Sequence, residues 1–282
     1  APRNTGRSGH PQAMKLCRFQ PVEFSAALIT RDETEVHPAA TFGSIEGDRV
    51  REIRSLFDIP EFTGRDWLLE DVRLLAPVEP SKVVCVGRNY AEHAGELGNE
   101  IPKEPLIFLK PPSSVIGPGQ PIILPGISQR VDYEGEVAII IGEKLHLPAE
   151  SEDLRRYILG YTCLNDVTAR DIQKHDVQFT RGKSFDTFCP IGPVIETQLD
   201  FGSATIETRV NGNCKQIGHT SGMLFSIEVI IRWIARVMTL LPGDIIATGT
   251  PPGVGPLAEG DVVEVLVSSI GRLSNPVAAE GD

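Results

Sequence analysis

Residues 131–142 read Val131-Asp132-Tyr133-Glu134-Gly135-Glu136-Val137-Ala138-Ile139-Ile140-Ile141-Gly142, and the fold turns on how this stretch is read. Its second half is continuously apolar, the pattern of a strand running into the core. Its first half carries Glu134 and Glu136 at i and i+2, which a strand places on one face, roughly 7 Å apart along the backbone. Two like charges leading into an apolar strand repel each other and are costly to desolvate. A hard divalent cation between them offsets both effects. The competing reading is an edge strand with two solvated glutamates.

Outward from this stretch, short strands are predicted at 15–24, 83–86, 106–109, 121–124, 161–166, 245–248 and 261–267. The 27 glycines and 22 prolines among 282 residues are spread along the chain. They imply many turns and a β-rich mixed α/β fold rather than a helical bundle. The best helix is 226–240, where Ile227, Ile230, Ile231, Ile234, Val237, Met238 and Leu241 recur at helical spacing behind a capping Ser226. Shorter helices are expected at 91–97 and 169–175, and one capped by Ser151 up to Gly160. Pro77 and Glu79-Pro80-Ser81-Lys82 read as a linker. It divides a small N-terminal domain, 14–78, from a larger catalytic domain, 79–282. Residues 1–13 read as a flexible leader with no part in the fold.

Lys plus Arg number 27 against 38 Asp plus Glu, a formal net charge of −11. Such an acidic chain is a poor neutraliser of phosphates, so nucleic acid is not an expected partner. No apolar run approaches the roughly 18 residues of a membrane-spanning helix, and no membrane partner is expected. The five cysteines are widely spaced and form no CxxC pair. They point to a reducing, cytoplasmic setting, each as a small buried apolar residue.

Four further groups of residues carry chemistry. Asn165-Asp166 ends an apolar strand. Asp166 as a third oxygen ligand would leave about three positions of an octahedral Mg²⁺ or Mn²⁺ for water and a chelating substrate; alternatively it caps the next helix. Asp171, just beyond, is read as a surface or cap partner of Arg170. His93 and Glu96 stand at i and i+3 on a short helix, so the carboxylate can orient the imidazole as a general base; the alternative is an exposed pair without a role. Lys183, in Arg181-Gly182-Lys183-Ser184-Phe185, either reaches an anionic centre or belongs to a surface loop. The loop 248–256 lacks phosphate-cradling spacing. It either presents Thr hydroxyls and N–H groups to a carboxylate or is a rigid turn.

Taken together, GRNYAEH at 87–93, EPLIFLKP at 104–111, DYEGEVAIIIG at 132–142, NDVTARDIQ at 165–173, GKSF at 182–185 and GDIIATGTPPGVG at 243–255 resemble the fumarylacetoacetate hydrolase superfamily. The resemblance spans most of 83–277. It implies a β-roll or sandwich core, a homodimer, and Mg²⁺ or Mn²⁺ held by Glu134, Glu136 and Asp166. It further implies a His93–Glu96 dyad, an active-site Lys183, and substrate contacts from Gln173 and Thr250, with Arg88 a further candidate for a substrate carboxylate. The stretch Gly87-Arg88-Asn89-Tyr90 lacks the additional acid that precedes the catalytic histidine in the mammalian fumarylacetoacetate hydrolases. The chain therefore resembles the smaller acylpyruvate hydrolase, oxaloacetate-acting and diene-dioate isomerase branches.

The expected reaction is hydrolysis of a C–C bond in a 2,4-diketo acid, releasing pyruvate and a carboxylic acid. His93 would deprotonate the attacking water, and Lys183 would help stabilise the departing enolate. Oxaloacetate decarboxylation, oxaloacetate keto–enol tautomerisation and 2-hydroxyhepta-2,4-diene-1,7-dioate isomerisation use the same site and stand as alternatives. A non-catalytic metal-binding scaffold is the alternative from a different class.

Overall fold

The computed structural model describes residues 13–22, 39–96 and 100–281, the side chains of His93 and Ala94 excepted. The expected leader, residue 13 apart, lies outside the described residues. The fold is β-rich and built around the strand Gly135–Ile141, every residue of which is buried. This strand pairs antiparallel with Ile158–Asn165 on one side and with Ile245–Ala247 on the other. Beyond Ile245–Ala247 lie the parallel Val83–Gly87 and then the antiparallel Leu106–Lys110. Beyond Ile158–Asn165 lies Cys189–Glu196, which pairs with Lys15–Pro21 through Lys15↔Glu196 and Leu16↔Ile195. The meander Thr41–Glu46, Arg49–Ile53 and Phe62–Leu68 completes that flank, so the N-terminal strands extend the same twelve-stranded sheet.

The continuous apolar run of 137–141 is explained by cover on both faces. Side chains alternate along a strand. Val137, Ile139 and Ile141 pack with Ile227, Ile230, Ile231 and Ile234 of the helix Ile227–Val237, and with Ile206, Val265 and Val267 of a separate five-stranded sheet. Ala138 and Ile140 pack on the other side with Val83, Cys85, Leu164, Cys189 and Ile245. Each isoleucine buried in this way contributes about 1.5–3 kcal/mol relative to exposure. The helix is as the spacing predicts, though shorter than 226–240. The Ser226 hydroxyl accepts from the Val229 N–H at 3.4 Å.

Three expectations are corrected. The stretch 131–142 is two strands, Val131–Tyr133 and Gly135–Ile141, with Glu134 at the break. Val131–Tyr133 belongs to a three-stranded sheet with Thr168–Ala169 and Gly255–Pro256. The Ser151-capped helix is a single 3₁₀ turn, Leu154–Tyr157, capped by Asp153. The strand Ile158–Asn165 begins at once, because pairing with the central strand outweighs local helix preference. Finally, Cys214 is exposed on the strand Asn213–His219, while Cys17, Cys85, Cys163 and Cys189 are buried.

Candidate active site

The register of the large sheet brings four strand ends to one place. Gly135 pairs with Asn165, Ala138 with Ala247, and Ala247 with Cys85. The start of the central strand therefore lies beside the ends of Ile158–Asn165, Ile245–Ala247 and Val83–Gly87. A cavity of ≈ 570 Å³ opens there.

At its floor, Glu134, Glu136 and Asp166 are buried, with carboxylate oxygens within 4.8 Å of one another. Glu134 reaches this cluster from the break between two sheets. Its N–H donates to Asn165 Oδ1 at 2.9 Å, and its carbonyl accepts from the Asp166 N–H at 2.8 Å. Asp166 caps no helix: Ala169 is the cap residue of Arg170–His175 and makes no side-chain cap bond.

Fixed cations orient these acids. Lys183, at the end of the short helix Thr180–Lys183, donates to Glu134 Oε2 at 2.9 Å and to Asp166 Oδ2 at 2.6 Å. Lys110, the buried last residue of Leu106–Lys110, donates to Asp166 Oδ1 at 2.5 Å and to the Val167 carbonyl at 3.0 Å. Arg170 donates to Glu134 Oε1, and to Asp132 Oδ2 at 2.9 Å. Burial disfavours the Lys183 ammonium, yet the carboxylates of Asp166 and Glu134 outweigh it and push its pKa up to about 12. Burial likewise opposes the Arg170 charge, and Glu134 and Asp132 more than restore it.

Glu136 is treated differently. It accepts the Gly249 N–H at 2.7 Å, and no ion pair is formed with it among the described residues. Burial, then the neighbouring Asp166 and Glu134, push its carboxyl well above the usual range. An all-oxygen donor set with one acid short of positive charge fits a hard divalent ion, which would ionise Glu136 and draw the three carboxylates together.

The cavity wall also gathers Arg88, Glu96, Gln173 and Thr250. Arg88 sits in the left-handed region, φ 57, on the turn after Val83–Gly87. Its neighbour Asn89 is fully buried and pins that turn to the opposite loop. Asn89 donates to the Thr248 carbonyl at 2.7 Å and accepts from the Phe225 N–H at 2.9 Å. Gly249 is required beside it: its φ is +102, and a Cβ there would stand 2.7 Å from the Asn89 Cβ. Glu96 accepts the Gly253 N–H at 3.1 Å and 3.2 Å. His93 lies on the same helix, Ala91–Glu96, but its side chain is outside the described residues.

Gln173 accepts from Arg170 Nη1 at 2.7 Å. The Thr250 hydroxyl donates to the Gly135 carbonyl at 2.8 Å and accepts from Gln216 Nε2 at 2.8 Å, so it holds the loop in place. Asp171 does not pair with Arg170; it accepts from Ser128 Oγ at 2.6 Å and the Gln129 N–H at 2.8 Å. The sequence reading missed Arg170, Lys110, Asp132 and Asn89. For Lys110 a signal existed: a lysine closing the apolar run 106–109 and followed by two prolines has little room to reach solvent.

Residues 82–278 match the family described as Fumarylacetoacetate (FAA) hydrolase C-terminal, and residues 14–77 match one described as Rv2993c-like, N-terminal. Protein Rv2993c of Mycobacterium tuberculosis is 50% identical over 251 residues, covering 85% of this chain and 94% of that one. Oxaloacetate tautomerase YisK of Bacillus subtilis is 43% identical over 224 residues, 74% of each chain. The crystal structure of 2-hydroxyhepta-2,4-diene-1,7-dioate isomerase from Mycobacterium marinum superposes with a TM-score of 0.83 at 44% identity, covering 95% of this chain and all of that one. Sequence match and shared fold agree across the whole region that builds the cavity, and the chain belongs to the fumarylacetoacetate hydrolase family of enzymes.

Proposed function

We propose that this enzyme is divalent-metal-dependent and interconverts the keto and enol forms of a small 2-oxo acid, oxaloacetate foremost. The observation that carries the reading is the buried Lys183 ammonium held between Glu134 and Asp166 at the floor of the cavity. Tautomerisation moves one proton off C3 and one onto the 2-oxo oxygen, with no attacking water and no leaving group. Its barrier is the negative charge that develops on that oxygen. A fixed ammonium in a water-poor site stabilises such charge without reorganising. A bound Mg²⁺ or Mn²⁺, held by Glu134, Glu136 and Asp166, would act as Lewis acid toward the same oxygen. Lys110 and Arg170 keep the carboxylates in register, each fixing one oxygen of Asp166 or Glu134. The helix Ala91–Glu96 supplies the proton-moving groups, with Glu96 on the cavity wall and His93 one turn before it. The names of similar proteins, an oxaloacetate tautomerase and a diene-dioate isomerase, are both those of proton-transfer enzymes.

Hydrolysis of acylpyruvates is the second reading, favoured by Glu96 and His93 sharing that helix, since such a dyad can also activate water. The test is a paired assay on chelated and Mg²⁺- or Mn²⁺-reconstituted protein. Decay of enol-oxaloacetate is followed by ultraviolet absorbance, and acetylpyruvate cleavage by pyruvate release. Metal-dependent enol decay without acetylpyruvate cleavage is expected. Cleavage as the dominant activity would select the second reading, and metal-independent inertness toward both would remove both.

A further inference from the structure

A second cavity, of ≈ 490 Å³, opens where the N-terminal strands meet the 75–80 linker. It has the size of a small-molecule pocket and shares no lining residue with the cavity over the acidic cluster. One wall is the antiparallel pair Lys15–Pro21 and Val72–Leu74, with Gln20 opposite Arg73. The pairing runs on through the Leu75 N–H, which donates to the Arg18 carbonyl at 2.9 Å. Alternation puts Arg18 and Gln20 on the same face as Arg73. The two arginines are therefore diagonal neighbours, roughly 7–8 Å apart on the ladder. The base is apolar: Ala76, Val78 and Val115 line it and belong to the core cluster around Leu16 and Cys189. Between Val115 and Gln120 of the other wall, Gly117 lies against the linker so closely that a Cβ there would stand 2.4 Å from the Ala76 nitrogen. Backbone packed on backbone in this way forms the cavity before any ligand arrives.

The charges on this cavity do not balance. Among the described residues that line it, the charged ones are Arg18, Arg73 and Glu79. Arg18 pairs with Glu79 at 2.5 Å, but the Glu79 side chain is 77% exposed and free to swing into water. Arg73 donates to Gln20 Oε1 at 2.5 Å and forms no ion pair among the described residues. A neutral amide leaves the Arg73 charge uncompensated, and the neighbouring Arg18 repels it. An anion between the two guanidiniums relieves that repulsion, and the planar fork of each matches a carboxylate or phosphate. We propose that this cavity is a second ligand site, for a small organic anion that carries a carboxylate or phosphate on an apolar body. Arg73 anchors the anionic group, the apolar base takes the body, and Glu79 competes with the ligand for Arg18. The site stands apart from the acidic cluster and does not rest on the reaction proposed there.

The test titrates 2-naphthoate, 2-naphthyl phosphate and the neutral 2-naphthalenemethanol calorimetrically into wild-type, Arg73→Gln and Glu79→Gln proteins. Chelator is present throughout, so that no metal at the acidic cluster captures the anions. Arg73 and Glu79 are both exposed, and the variants should melt with the wild type. Wild type is expected to bind at least one of the two anions about tenfold more tightly than the alcohol, and the anion that binds identifies the group the arginines select. Arg73→Gln should lose about tenfold for that anion and leave the alcohol unchanged. Glu79→Gln should tighten the anion about threefold, because it releases Arg18; a purely structural pair would give no tightening. Wild type that binds neither anion, or binds the alcohol equally well, overturns the site. So does an anion affinity that Arg73→Gln leaves unchanged, or one that Glu79→Gln fails to raise.

Discussion

Replacing Lys183 by Met removes the ammonium that bridges Glu134 and Asp166 while keeping an unbranched side chain of similar length. Both bonds are short, 2.9 Å and 2.6 Å, and all three partners are buried. Breaking a buried ion pair from one side costs about 3–5 kcal/mol, because the charge left behind is uncompensated. Here Arg170 still holds one oxygen of Glu134 and Lys110 one of Asp166, which places the cost near the lower end, about 3 kcal/mol. For a chain of this size that is a fall in Tm of roughly 6–12 °C in chelator. Mg²⁺ should then rescue the variant more than the wild type, because the carboxylates that lost their ammonium are the same ones that hold the ion. Turnover should remain depressed by about 10²–10³-fold even in saturating Mg²⁺, since the fixed charge facing the developing enolate is gone. Scanning calorimetry of both proteins, with and without metal, measures the first two effects. A chelated variant within about 1 kcal/mol of wild type, or a larger Mg²⁺ shift in wild type than in the variant, would refute the reasoning.

Three other outcomes follow from the same geometry. Glu136 has a raised folded pKa, so its contribution to the stability of metal-free protein is present below the unfolded carboxylate value of about 4.3 and is lost as pH rises through the folded value. Ion binding must expel that proton, so Mg²⁺ affinity should climb up to about tenfold per pH unit in that window, with proton release visible by calorimetry in two buffers; a flat profile contradicts the assignment. Gly249→Ala forces a Cβ against Asn89 at positive φ and should cost about 1–3 kcal/mol, read by urea unfolding, with loss of turnover because the Gly249 N–H orients Glu136. Asp244, fully buried, accepts from the N–H groups of Ser81, Lys82 and Leu241 and from the Ser81 hydroxyl. Asp244→Ala should therefore destabilise by more than about 3 kcal/mol in thermal unfolding, through orphaned donors at the 77–82 linker, with substrate KM little changed in whatever remains folded.

The core and the acidic triad were legible because their signals are local. A run such as 137–141 states its burial in its composition, and Ile227, Ile230, Ile231 and Ile234 state theirs in their spacing. The hairpin Thr205–Val210 and Asn213–His219 was not read, because Thr, Glu, Arg and Lys dilute its apolar pattern and even its buried side carries the polar Thr208 and Gln216. Its turn carried a usable signal: Asn211-Gly212, both at positive φ, is the pair that a tight two-residue hairpin demands. Arg170 and Asp132 were invisible for a different reason, and the local signal at Lys110 gave its burial but not its partner. A charge in sequence reads as solvated, and only tertiary pairing shows that each of these is buried against an opposite charge.

The one place where strand reading failed inside the diagnostic stretch is the place where the acidic cluster forms. A strand continuous from Val131 to Ile141 would keep Glu134 in a regular ladder. Instead the chain leaves the three-stranded sheet at Tyr133 and enters the large sheet at Gly135. The backbone groups of Glu134, released from regular pairing, are taken by Asn165 and Asp166. That exchange ties the residue at the break directly to another member of the triad. Arg170 then spans the two sheets, binding Asp132 on one side of the break and Glu134 at it. A local rule is broken at a cost that the surrounding ion pairs offset, and what it secures is the approach of three acids that would otherwise stay apart. On this argument Asn165 is a positioning residue: Asn165→Leu should lower Mg²⁺ affinity at least tenfold while leaving the pH dependence of the remaining turnover intact, because it frees the Glu134 N–H without touching a titrating group. Unchanged affinity in a folded Asn165→Leu protein would show that the break is held by the sheets alone.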